Sequence, residues 1–87
     1  TEGISLNVYC RDQTEIDRYW SSLSEGGEEQ PCGWLKDRFG VSWQIVPECM
    51  ERLGDSRDPE RAGRVNAALM NMKKIDIQLL REAYEGR

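Results

Sequence analysis

The chain has 87 residues, enough for one small domain or a piece of one, and at this size only a modest core can form. Apolar types make up 38% and charged types 32%, with a mean hydropathy of -0.74, and no stretch approaches the roughly 20 apolar residues of a membrane span. Sixteen acids against twelve bases leave a net charge of -4, which opposes a nucleic-acid backbone or an anionic membrane as partner.

Two features of composition narrow the chemistry. Histidine is absent, which removes Ser-His-Asp and Cys-His catalysis from this chain along with the commonest transition-metal ligand. The three cysteines, Cys10, Cys32 and Cys49, are odd in number, widely spaced and without a CxxC pair. They read as buried, reduced thiols, the pattern of a cytoplasmic protein without disulfides or a zinc knuckle. The N-terminal residues show no basic-then-apolar signal segment.

In chain order, Ile4 to Cys10 alternates, with Ile4, Leu6, Val8 and Cys10 on one side and Ser5, Asn7 and Tyr9 on the other. That is a strand with one dry face and one more polar face. Thr14 then opens a helix, with Asp17 as a short capping-box partner and Ile16, Tyr19, Trp20 and Leu23 on one stripe. Gly26-Gly27 stops it. Glu28 to Pro31 is a loop or a brief edge strand. Cys32–Asp37 and Val41–Val46 read as two strands around Asp37-Arg38-Phe39-Gly40, a turn opened by aspartate and closed by a positive-φ glycine. In the second arm Val41, Trp43 and Ile45 share one face, while Ser42, Gln44 and Val46 share the other. Ser42 and Gln44 either meet solvent or line a site.

The remainder is helical. Pro47 suits a first helical turn, and Gly54 ends a short element holding Met50 and Leu53. Asp58-Pro59 caps and opens a helix with Ala62, Val65, Leu69 and Met72 on one stripe, and Met70 and Met72 read as core. Lys73-Lys74 reads as a solvated helix C-terminus. Asp76 caps a last helix, Ile75 staples onto Leu80, and Ala83 and Tyr84 continue its apolar face. The expected fold is α+β: a single β-α-β-β-β module over residues 1–47 and a C-terminal helical tail over 48–87. One face of its sheet is left uncovered.

The run CGWLKDRFGVSWQIVP, Cys32 to Pro47, resembles the PhnB-like branch of the vicinal oxygen chelate (glyoxalase and bleomycin-resistance) superfamily, a branch that also carries the label 3-demethylubiquinone-9 3-methyltransferase. DQTEIDRYWSSLSEGGEE, Asp12 to Glu29, is similar to the helix of that family, and MNMKKIDIQLLREAYEG, Met70 to Gly86, to its C-terminal tail. The resemblance implies two β-α-β-β-β modules whose curved sheets enclose a cavity, with this chain as the second module plus tail. It therefore implies pairing, with a first module or with a second copy as a homodimer.

In metal-dependent members the cavity carries ligands from the first and last strands of each module. Set on the Asp-x-x-Gly turn, Gln44 takes the place of the usual ligating glutamate, and Ser5 falls where the first-strand histidine would be. An amide and a hydroxyl are poor ligands for a borderline divalent metal, with only Glu2 or Glu25 as further donors. No glycine-rich turn opens a helix, so no cradle for S-adenosylmethionine is readable and the methyltransferase label is a name rather than a mechanism. The leading expectation is a small-molecule-binding protein in which Ser5, Asn7, Tyr9, Ser42 and Gln44 supply hydrogen bonds. Trp34, whose face the sequence leaves open, either packs in the core or stacks on a planar ligand. A metal-dependent lyase, isomerase or dioxygenase, and a dimerisation module without catalysis, are the alternatives.

Overall fold

The structure, a computed structural model, describes residues 5–87. The expected strand residue Ile4 and the candidate donor Glu2 lie outside them. The alternating segment forms β1 (Ser5–Cys10), followed by helix α1 (Gln13–Ser24), a two-residue edge strand β2 (Glu28–Glu29), β3 (Trp34–Lys36) and β4 (Ser42–Pro47). The sheet order is β1-β4-β3-β2, with β1 parallel to β4 and the other pairs antiparallel.

This register turns the alternation of each strand into one dry face. Leu6, Val8 and Cys10 lie beside Trp43, Ile45 and Pro47, and Leu35 of β3 is opposite Trp43. Ile16 and Trp20 of α1 join Cys10, Leu35 and Ile45 in the buried core, so the helix covers that face, while Tyr19 stays partly exposed. The Asp37 turn forms as expected: Gly40 takes φ +83, and Asp37 N–H donates to Val41 O at 2.9 Å. Val41 itself stays outside β4.

Helices α2 (Met50–Leu53), α3 (Pro59–Leu69) and α4 (Ile77–Glu85) form the tail. Asp58 and Asp76 cap α3 and α4 by accepting from Arg61 and Leu79 N–H. Ile75 and Leu80 are both fully buried, as a hydrophobic staple requires. Leu53, Val65, Ile75, Ile77 and Leu80 belong to the same buried cluster as the sheet residues, so module and tail share one core. Polar ties reinforce the seam. Gln13 donates to Ile75 O and accepts from Ile77 N–H, each at 2.9 Å, and Lys74 pairs with Asp17 at 2.9 Å.

Several local expectations are corrected by this packing. Asp12, not Thr14, caps α1: its carboxylate accepts from Glu15 N–H, while Glu15 reaches back to Arg11 N–H at 2.7 Å. The box shifts because β1 ends at Cys10 and leaves two residues to turn the corner. Cys32 and Gly33 are not strand but a 3₁₀ turn, Pro31–Gly33, with Cys32 at φ 63 and Gly33 at φ 82. The conformation directs two successive N–H groups to Met72 O and Lys73 O, both at 2.8 Å, and so ties the turn to the tail. Pro47 ends β4 instead of opening a helix; β3 pairing stops at Gln44, and on the β1 side Cys10 O accepts from Glu48 N–H, so no ladder bond needs the missing N–H. Helix α3 ends at Leu69, before Lys73 and Lys74. Met72 packs on the core, but Met70 is exposed. Of the cysteines only Cys10 is buried; Cys32 and Cys49 are half-buried, and all three are free.

Candidate functional site

The face of the sheet opposite α1 carries the candidate residues. Because β1 and β4 run parallel in register, Ser5 lies beside Ser42, Asn7 beside Gln44 and Tyr9 beside Val46. Paired residues point to the same side, so the hydroxyl at position 5 and the amide at position 44 share this face. Trp34 is opposite Gln44 across the antiparallel β3–β4 pair, which decides its orientation: it stands on the open face and is absent from the buried cluster. All six sequence-derived residues, Ser5, Asn7, Tyr9, Trp34, Ser42 and Gln44, are therefore on one side of the sheet.

They do not all meet in one hollow. A depression of about 470 Å³ lies at the C-terminal ends of β1 and β4, where α2 follows the sheet. Tyr9 and Gln44 line it, together with Val46, Met50, Glu48 and Glu51. Val46 and Met50 form an apolar floor, and the two glutamates add negative charge at its rim. Ser5 and Ser42 lie toward the other end of β4, while Asn7 and Trp34 flank Gln44 on either side.

Two residues of this face were missed by the sequence reading. Lys36 is opposite Ser42, and Glu28 is opposite Lys36, so both project on the open side. Counting by two from Trp34 reaches Lys36 within the expected strand Cys32–Asp37, but the sequence leaves the face of Trp34 itself open. Lys36 brings a cation beside Trp34 and Ser42, and the face as a whole is rich in hydrogen-bond donors.

Among the described residues no group of three or more His, Cys, Asp or Glu is placed to hold an ion. Glu25 follows α1 and lines a separate depression with Asp37 and Phe39, away from Gln44. What remains beside Gln44 on β1 is Asn7, a second neutral amide. Gly26 sits in the left-handed region at the end of α1 instead of opening a helix toward a nucleotide-type cofactor.

The fold and this face define a single β-α-β-β-β module of the glyoxalase type, an α+β unit with a mixed open sheet, one covered face and one polar face. Residues 1–46 match the family model of 3-demethylubiquinone-9 3-methyltransferase, and the chain belongs to that family, which is of the glyoxalase/vicinal-oxygen-chelate type. No curated protein matches the chain. Among the described residues no helix is long and apolar enough to cross a membrane.

Proposed function

We propose that this chain binds a small organic molecule on the open face of its sheet, with Gln44 and Asn7 as the central hydrogen-bonding pair. The observation that supports this reading is the β1–β4 register, which sets two primary amides side by side on an uncovered face next to an apolar-floored hollow. An amide offers both donors and an acceptor, so the pair can orient a carbonyl, hydroxyl or carboxylate without ionising. Trp34 supplies a flat surface for a planar group, and Tyr9, Ser5 and Ser42 add hydroxyls around it. The reading rests on hydrogen bonding and stacking and assigns no methyl transfer, since the sequence has no glycine-rich turn that opens a helix. The three free thiols fit a reducing cytoplasmic setting.

A metabolite panel screened by thermal shift tests the proposal, since a ligand that binds only the folded state raises the melting temperature. At least one compound should stabilise the protein, and Gln44→Leu should lose most of that stabilisation. Ligands whose effect survives both Gln44→Leu and Asn7→Leu bind elsewhere and would overturn it.

A further inference from the structure

Four residues of the open face form a rectangle. Trp34 is opposite Gln44 and Lys36 is opposite Ser42 across the antiparallel β3–β4 pair, and the two pairs lie two residues apart along the strands. Strand spacing sets the sides of that rectangle at roughly 5 by 7 Å. All four residues are half-buried. One corner is an indole, one an ammonium, one a hydroxyl and one a primary amide.

Lys36 is the corner the protein leaves uncompensated. Among the described residues it enters no ion pair, although Glu28 is directly opposite it on β2. Glu28 is exposed on a two-residue edge strand, whereas Lys36 sits one strand further in. Asp37, the next residue, turns its carboxylate to the other side of the sheet, where it accepts from Trp43 Nε1 at 2.9 Å. Arg38 lies over the Phe39 ring in the turn, 4.9 Å from its centroid. Glu48 and Glu51 rim the hollow past the far end of β4. Even Glu48 is six residues beyond Ser42, roughly 20 Å at strand spacing and more than a screening length away. Among the described strand residues of this face Lys36 is thus the one cation, set between a flat aromatic surface and a hydroxyl.

We propose that Lys36 fixes the class of ligand this face takes: a flat molecule carrying a single carboxylate. Its plane lies on Trp34, and the Lys36 ammonium and the Ser42 hydroxyl both donate to the carboxylate. Gln44, opposite Trp34, keeps its amide for a carbonyl or hydroxyl in the same plane. One cation matches one negative charge; a second charge on the ligand would face Glu28. The assignment rests on the reading that the open face binds a small molecule, and adds the shape and charge of that molecule.

Naphthoate and its neutral counterpart naphthamide are suitable probes, titrated into the full chain and followed by two-dimensional NMR. Circular dichroism checks that each variant is folded. The wild type should bind naphthoate about tenfold more tightly than naphthamide, the worth of one hydrogen-bonded contact to a charged group. Lys36→Met should bring the two affinities together, while Lys36→Arg, which keeps the charge, should hold them apart. Gln44→Leu should weaken both probes and preserve their ratio. Equal affinities in the wild type, a carboxylate preference that survives Lys36→Met, or no binding of naphthoate at all overturns the assignment to Lys36. Probes that bind Gln44→Leu undiminished overturn the amide-centred reading of the face instead, so the two claims fail on different variants.

Discussion

Trp43 Nε1 donates to Asp37 Oδ2 at 2.9 Å, while the other carboxylate oxygen of Asp37 accepts from Phe39 N–H at 2.9 Å and Val41 N–H at 3.0 Å. One carboxylate thus holds the hairpin turn closed and anchors the indole that packs on the core from the middle of β4. The Trp43 hydrogen bond first, then the Val41 amide, holds the Asp37 carboxyl below the usual carboxylate range. A carboxyl whose folded pKa is depressed stabilises the fold fully above its unfolded value, near 4, and that contribution is lost as pH falls through the folded pKa. Asp37→Asn should therefore melt below the wild type at neutral pH, with the gap closing under about pH 4. Melting curves across the acid range check this, and a gap that stays constant throughout would assign the effect to something other than the carboxylate.

Neighbouring residues on β4 should behave oppositely because they face opposite sides. Ile45 is fully buried beneath α1, and Ile45→Ala should cost about 2–5 kcal/mol through lost burial and the cavity left behind. Gln44, half-buried on the open face, should change stability by less than about 0.5 kcal/mol when replaced by alanine. Urea unfolding of the two variants measures both. Equal losses would mean that the open face is packed rather than free.

Glycine at position 33 answers a close approach as well as a left-handed backbone. A Cβ there would sit 2.8 Å from Ile75 Cδ1 and 3.0 Å from Ile45 O, at φ +82. Gly40 has nearly the same φ, +83, with nothing within 4 Å of the added carbon. Gly40→Ala should cost about 1 kcal/mol, the conformational penalty alone. Gly33→Ala should cost clearly more, about 2–3 kcal/mol, because Ile75 must shift away from the strand. The difference between their urea midpoints isolates how tightly the tail is seated.

The cysteines should separate by accessibility. Burial, with the nearby Glu15 and Asp12 charges adding to it, pushes the Cys10 thiol up from its ordinary value, so little thiolate is available there. Under native conditions iodoacetamide should modify Cys32 and Cys49 first, and Cys10 only at the rate at which the protein opens. Mass spectrometry of a labelling time course distinguishes the sites. Cys10 labelling as fast as Cys49 would contradict the burial described for it.

Much of this was legible in the chain, for reasons tied to particular residues. Alternation over Ile4–Cys10 and Val41–Val46 placed Ser5, Asn7, Ser42 and Gln44 on the more polar side before any pairing was known, since side chains must alternate along a strand. Asp58 and Asp76 announced their helices because a cap bonds amides only three residues away. Asp12 was missed in favour of Thr14 since both are capping residues, and the choice depended on where β1 stopped. Trp34 could not be oriented, because Cys32 and Gly33 leave the extended conformation just before it. Lys36 went unnoticed because its face follows that of Trp34, and Glu28 because its strand is only two residues long. The hollow beside Gln44 was not readable at all, as Glu48, Met50 and Glu51 of its lining come after the strand, the last two in α2.

Periodicity, caps and turn residues act over a few positions, so the order of sequence alone determined the strands and helices, the closed hairpin at Asp37 and the alternation of dry and wet sides. Which side was buried needed a long-range partner. The seat of Ile75 against Gly33, the left-handed turn at Cys32 that reaches Met72 and Lys73, and the clamp of Gln13 on the start of α4 join residues about forty to sixty positions apart. No local rule encodes such contacts, because their free energy exists only once both segments have been ordered together.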